Sequence, residues 1–219
     1  MILLFSGGVD SFIAYHWLKR PPTVYFDLNT PYSMKEIMTV KYLVPNTKVE
    51  KVLDLSSRQI GEGAYIPFRN LYLAMLAAKY SDEIVIVGIR GDNVSDKSPE
   101  IFLSFSLILS EMEGRDIKVT SPFWNITKDE IVKWYLDQGL SIEDLGWTTS
   151  CYDNSTVNYC GKCPSCFRKW VAFYNNGIKL NFRNKELMSE YLDRAEKGYY
   201  IEERNKSIIK AAEDYLCRY

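Results

Sequence analysis

Two short stretches of this 219-residue chain concentrate the residue types that do chemistry. The first is Ser6-Gly7-Gly8-Val9-Asp10-Ser11. Its paired glycines permit backbone conformations, and a close ligand approach, that a Cβ would block. Successive amides in such a turn form an anion-binding nest, and a helix beginning near Asp10 and Ser11 adds its positive N-terminal end. The hydroxyls of Ser6 and Ser11 can donate further hydrogen bonds. A carboxylate is out of place in a pure anion site, and Asp10 makes sense as a ligand of a Mg²⁺ ion shared with phosphates. No Gly-Lys-Ser/Thr follows the glycines, so this is not a Walker loop. The competing reading is a plain strand-to-helix turn with Asp10 as a cap.

The second stretch holds Cys151, Cys160, Cys163 and Cys166, with eight, two and two residues between them. Four thiolates suit tetrahedral Zn²⁺ in a closed structural site, which can contribute on the order of 10 kcal/mol to folding. Cys-x-x-Cys-x-x-Cys also occurs in ferredoxins, but those runs continue with a nearby fourth cysteine, and here the next is Cys217. An iron–sulfur cluster and unmetallated thiols remain as alternatives. Cys217 reads as a core or surface thiol. The single histidine, His16, lies between Tyr15 and Trp17 and reads as packing, so a site needing several imidazoles is excluded.

The elements that must position these groups alternate in type. Ile2–Phe5, Thr23–Leu28, Val49–Leu55, Glu83–Val87 and Lys118–Thr120 read as strands. Ser11–Lys19, Met34–Leu43, Phe68–Tyr80, Pro99–Met112 and Thr127–Gln138 read as helices, the last capped by Thr127 with Glu130 three residues on. This alternation predicts an α/β fold with a parallel, Rossmann-like sheet covered on both faces. Ligands of such sheets bind outside the carboxyl ends of the strands, where Ser6–Asp10 and Gly88–Lys97 emerge. From about residue 140 the pattern changes to the cysteine loop and helices over Phe167–Tyr174, Lys185–Lys197 and Glu202–Leu216. The expected organisation is an α/β domain over 1–140 and a zinc-binding helical extension over 141–219. Asp92, Asp96 and Lys97 then sit at a strand's carboxyl end, Arg69 and Asn70 open a helix, and Arg168 follows the cysteines. Lys128, beside Thr127, reads equally well as a surface lysine.

With 27 basic and 28 acidic residues the net charge is −1, so no broad field for nucleic acid exists. The opening apolar run stops after five residues, too short for a signal h-region, and no apolar stretch approaches a membrane span. The expected location is the cytoplasm, where clustered cysteines serve metals or catalysis before disulfides.

Ser6–Ser11 resembles the pyrophosphate loop of the ATP pyrophosphatases of the adenine nucleotide alpha-hydrolase-like superfamily (HUP-type fold). Thr149-Ser150-Cys151-Tyr152 and the run Cys160-Gly161-Lys162-Cys163-Pro164-Ser165-Cys166-Phe167-Arg168 narrow the likeness to the 7-cyano-7-deazaguanine synthase (QueC) family. Ile66-Pro67-Phe68-Arg69-Asn70 is similar to that family's Val-Pro-x-Arg-Asn, and Gly88–Phe102 to its substrate loop. The resemblance implies ATP contacts from Phe5, Ser6, Gly7, Gly8, Val9, Asp10, Ser11, Arg69 and Asn70, and substrate contacts from Asp92, Asp96, Lys97 and Arg168. Ser6, Asp10, Ser11 and Lys97 would be the catalytic set, and Cys151, Cys160, Cys163 and Cys166 the structural Zn²⁺ ligands. It implies a ligase that uses ATP, Mg²⁺ and ammonia to turn 7-carboxy-7-deazaguanine into the nitrile through an adenylate, as a homodimer, with no direct nucleic-acid partner. Leu28–Ser33 replaces the family's Gly-Gln-Arg-His, and Lys97-Ser98 its Cys-Arg. This compact, diverged form resembles phage-borne or defence-associated members, some of which use other amines. The rival readings are an amide-forming ligase of the same kind, a sulfur-transfer tRNA enzyme, and a zinc-stabilised nucleic-acid-binding module. The near-zero charge opposes the module, and the sulfur-transfer enzyme would need a reactive cysteine outside the cluster.

Overall fold

Short β-branched runs build a sheet of five strands: β1 (Ile2–Leu4), β2 (Thr23–Asp27), β3 (Lys48–Lys51), β4 (Glu83–Val85) and β5 (Lys118–Thr120). The computed structural model describes residues 1–58, 65–92, 94–149, 151, 153 and 159–218, the last two of these by backbone only. All four strand pairings are parallel, in the order β3-β2-β1-β4-β5. Leu3 pairs with Thr23 and with Val85, which makes β1 the centre. The chain winds outward from β1 to β3 and then returns to β4 on the other side. That reversal lies between β1 and β4, where a doubly wound sheet opens a crevice for ligands.

Alternation along the strands feeds two cores. Leu3, Tyr25 and Val85 face α1 (Val9–Trp17), α2 (Ser33–Leu43) and α5 (Lys128–Asp137), while Ile2, Val24, Phe26 and Ile84 face α3 (Arg69–Ala77) and α4 (Pro99–Glu113). On α4, Phe102, Phe105 and Leu109 recur at helical spacing and are buried, each side chain worth about 2 kcal/mol. Ser98 caps this helix by accepting from Ile101 N, Pro99 occupies its first turn, and Gly114 ends it at φ 65°. A third core gathers around α7 (Pro164–Asn175), α8 (Lys185–Glu196) and α9 (Glu202–Arg218), and includes Cys151, Cys160 and Cys166. Helix α7 joins it to the sheet, because Phe167 and Trp170 belong to the third core while Ala172 and Phe173 belong to the first.

The α/β reading and the parallel sheet are borne out. The differences are local. Helix α1 starts at Val9, with Gly8 in the cap position, so Asp10 and Ser11 occupy its first turn. Strand β3 ends at Lys51; beyond it Val52 N bonds to Asp27 O at the end of β2, and Leu55 N to Leu28 O in the loop that follows. The six-residue α6 (Ile142–Trp147) was not expected; it is capped by Ser141 and buries only Leu145. Among the described residues no helix is long and apolar enough to cross a membrane.

Candidate active site and cysteine centre

The chain leaves β1 into the Ser6–Ser11 turn. Gly7 has φ 71°, a left-handed conformation that favours glycine. A Cβ there would stand 2.9 Å from Thr39 Cγ2 on α2, and one at Gly8 would stand 3.3 Å from Thr149 O. Both glycines therefore let the turn nest between α2 and the segment after α6. Ser11 Oγ donates to Gly8 O at 3.1 Å and lies 3.2 Å from Ser6 Oγ. The amino end of α1 opens into a cavity of about 320 Å³, and its first free amides make it suited to an anion.

Four cations, Arg69, Lys97, Lys128 and Arg168, come from separate parts of the chain to line that cavity. Lys128 Nζ, at the start of α5, lies 2.7 Å from Asp10 Oδ1 and 2.9 Å from Oδ2. The Thr127–Glu130 capping box fixes this helix start. Burial pulls the Lys128 ammonium below the ordinary lysine range, and Asp10 opposes the shift. Across the cavity, Asp92 holds Arg168 Nη2 at 2.5 Å and Lys97 Nζ at 3.0 Å. Its side chain is only 4% exposed. Burial alone would raise the Asp92 carboxyl, but Lys97 and Arg168 hold it well below the usual carboxylate range. Asp92 is therefore a strut beneath two cations, with both oxygens engaged.

Arg69 and Asn70 reach the cavity from the start of α3, behind Phe68, which adopts a left-handed φ of 59°. Asp96 does not line it. Its carboxylate accepts from Asn70 N at 3.2 Å and ties the loop before α4 to α3. Gly7 also turns behind the lining, while Phe5, Ser6, Gly8, Val9, Asp10, Ser11, Arg69, Asn70, Asp92, Lys97 and Arg168 all face one space. Glu36 lines it too, unforeseen from sequence, with Oε2 accepting from Tyr25 Oη at 2.7 Å. Burial lifts the Glu36 carboxyl to about 7. The only sequence signal was an acidic residue in the first turn of the helix after β2.

The model of the family "Queuosine biosynthesis protein QueC" matches residues 28–177. The chain belongs to the QueC family. Its relatives named 7-cyano-7-deazaguanine synthase include one from Methanocaldococcus jannaschii, 27% identical over 147 residues, which covers 62% of this chain and 63% of that protein's length. Those from Psychromonas ingrahamii and Persephonella marina are 26% and 25% identical. They cover 82% and 85% of this chain and 95% and 97% of their own lengths. The QueC match begins after the Ser6–Ser11 turn and runs through all four clustered cysteines.

In this QueC chain the Sγ atoms of Cys151, Cys160, Cys163 and Cys166 all lie within 4.8 Å of one another. Zn–S bonds of about 2.3 Å in a tetrahedron place sulfurs about 3.8 Å apart, and Cys160 and Cys166 are 3.8 Å apart. The four can hold one zinc ion; an iron–sulfur cluster, whose four thiolates are spread over two or more irons, needs a wider set. Gly161, at φ 67°, turns the loop, and a Cβ there would press on Asn181 O at 3.0 Å. Backbone amides of Lys162 and Cys166 point at Cys160 Sγ and Cys163 Sγ, both at 3.4 Å. Ser150 and Tyr152 of the cysteine motif, and the side chain of Cys217, lie outside the described residues.

The cysteine centre is mechanically joined to the Ser6–Ser11 turn. Lys169, 1% exposed, donates to Thr148 O at 2.6 Å and to Gly146 O at 3.0 Å, and the next amide, Thr149 N, donates to Gly7 O at 2.9 Å. Burial pulls Lys169 down to about 7. A residue of α7 thus braces the segment after α6 that closes over Gly7.

Proposed function

We propose that the chain is an ATP-dependent, carbon–nitrogen bond-forming enzyme that converts 7-carboxy-7-deazaguanine and ammonia into 7-cyano-7-deazaguanine by way of an adenylate. The observation that carries this reading is one cavity in which the Ser6–Ser11 turn faces Lys97, Lys128 and Arg168. Family membership supports it, as do the names of the relatives.

The chemical need explains the residue set. A carboxylate is a poor electrophile. Its oxygen attacks the α-phosphorus of ATP, the bond to the β-phosphate oxygen breaks, and pyrophosphate leaves. Negative charge grows on the departing group, where the turn amides, the end of α1 and Lys128 can stabilise it with fixed donors. Ammonia then attacks the acyl carbon, the carbon–oxygen bond breaks with its electron pair going to AMP, and a proton is lost to give the amide. The amide oxygen then attacks the α-phosphorus of a second ATP, pyrophosphate leaves, and one nitrogen-bound proton is lost. Loss of AMP and the remaining nitrogen-bound proton leaves the nitrile. Asp10 is the carboxylate of the turn and fits an oxygen-ligated cation. Mg²⁺ held there would neutralise phosphate charge, with Lys128 sharing or yielding the carboxylate. Zn²⁺ on the four cysteines would be structural, keeping α7 and its Arg168 and Lys169 in place.

Glu36 and Tyr25 line the same cavity from α2 and β2, and would be suited to the nucleoside half of ATP. An apolar stripe on the outside of α4, formed by Leu103, Leu107, Ile108 and Met112, supports self-association as a homodimer. Product analysis by mass spectrometry with ATP, ammonium and the 7-carboxy acid tests the proposal. A nitrile is expected, together with loss of AMP release in Asp10→Ala. An accumulating amide would narrow the activity to amide formation, and steep salt-dependent RNA or DNA binding without AMP release would replace it with a binding role.

A further inference from the structure

Asp92 sits on a short turn beyond β4. Ile89 bridges to Phe123, and Arg90 N donates to Phe123 O and Ile126 O, which fixes the entry to the turn. Gly91 follows with φ 85°, and Asp92 N closes the turn by donating to Ile89 O at 3.1 Å. Arg90 and Gly91 face a second cavity of about 50 Å³ beside α9, while Asp92 faces the main one. The turn is thus a wall between α9 and the candidate active site.

Helix α9 grips that wall at Gly91. Arg204 Nη1 donates to Gly91 O at 3.0 Å, a bond strengthened by the charge of its donor. The guanidinium lies 4.0 Å from the centroid of the Tyr200 ring, a cation–π contact. Asn205 fixes Tyr200 by accepting from its amide at 3.1 Å and donating to its carbonyl at 2.8 Å, and the Tyr200 ring stacks on Tyr191 of α8. A Cβ on Gly91 would stand 2.9 Å from Ile201 Cδ1, so turn and helix are in close contact. Among the described residues Arg204 forms no ion pair; its charged donor goes to a backbone carbonyl. The neighbouring Arg90–Glu203 pair is about half exposed on both sides and adds little. From Gly91 the link passes to the next residue, Asp92, whose carboxylate holds Lys97 and Arg168. A shift of the turn therefore moves both cations. Helix α9 lies beyond residue 177, where the QueC match ends.

We propose that Arg204 is a positioning residue of the active site, an inference that rests on the function proposed above. It acts through Gly91 and Asp92, and so sets where Lys97 and Arg168 stand against the acid. Helix α9 is in this sense part of the enzyme's working machinery. A misplacement of about 1 Å caused far from the chemistry can cost on the order of a hundredfold in rate.

The kinetics of acid-dependent pyrophosphate exchange into ATP test this role. Arg204→Ala is expected to raise KM for the acid about tenfold or more, while KM for ATP stays within about twofold of the parent. Arg204→Lys keeps a charged donor for Gly91 O and should bring KM for the acid back to within about threefold. Ile208→Ala is the control: it loosens the buried packing of α9 and leaves the Gly91 bond in place, so it should lower Tm with both KM values unchanged. If thermal unfolding shows that Arg204→Ala does not fold, Arg204→Gln, which keeps part of the stem, takes its place with the same expectation. An unchanged KM for the acid in the folded variant, or an equal rise in Ile208→Ala, overturns the positioning role while leaving the proposed function standing. Absence of exchange in the parent instead removes the function on which it rests.

Discussion

Glu36 gives the sharpest quantitative consequence of the structure. It lies in the first turn of α2, lines the main cavity and accepts from Tyr25 Oη. Burial is the largest influence and lifts its carboxyl from the ordinary 4.5 to about 7; the Tyr25 hydrogen bond, Arg69 and Lys35 pull it back in part. Between those pH values the folded protein holds a proton that the unfolded chain has released. Stability contributed by that proton is present below pH 4.5 and is lost as pH rises through about 7. At about 1.4 kcal/mol per pH unit the full window is worth roughly 3 kcal/mol, reduced to about 2 kcal/mol because the carboxyl borders a space that water reaches. Glu36→Gln keeps an acceptor for Tyr25 and removes the titration. Urea unfolding at a series of pH values should give parent and variant nearly equal stability at pH 5, with the variant ahead by about 2 kcal/mol at pH 8. A difference that does not change with pH would refute the assignment.

Three further outcomes follow from the same geometry. Gly7→Ala forces a Cβ into left-handed backbone and against Thr39; a loss of about 2–4 kcal/mol is expected, read as a Tm lower by roughly 5–15 °C. Phe68→Gly removes a left-handed phenylalanine that is 74% exposed, and should raise stability by about 0.5–1 kcal/mol in denaturant titration, whereas a loss would show that the ring has a partner. Stripping metal with a strong chelator should release one equivalent of zinc and loosen the core of α7, α8 and α9, with tryptophan fluorescence changing as Trp170 becomes exposed; an unchanged spectrum after zinc release would contradict a structural role.

The sequence alone carried the local features well and the long-range ones poorly. Strands were legible because Val, Ile and Phe runs alternate with helix-period segments, and the start of α5 was legible because Thr127 and Glu130 form a capping box by themselves. Helix α6 escaped because six residues with one buried side chain hold too little periodicity. The Ser6–Ser11 turn and three of the four cysteines are contiguous motifs, so their places at the amino end of α1 and in one cluster could be read directly. The ion pairs of Asp92 with Lys97 and Arg168 were not legible, because Arg168 lies 76 residues away. Lys128 was indistinguishable from a surface lysine until the fold carried it across 118 residues to Asp10. Such pairings are set by the order in which the strands are laid down, and a single sequence does not print that order.

The central claim is that the Ser6–Ser11 turn grips the phosphates of ATP while an acid is adenylated beside it. Its most direct test is exchange of radiolabelled pyrophosphate into ATP, with the zinc-loaded protein, Mg²⁺ and 7-carboxy-7-deazaguanine, and no ammonia. The account predicts exchange that requires the acid and drops by about a hundredfold or more in Lys128→Ala, as for loss of one fixed charge-stabilising donor. Exchange that proceeds equally well without Lys128, or no exchange from a folded protein that binds the acid, would contradict it.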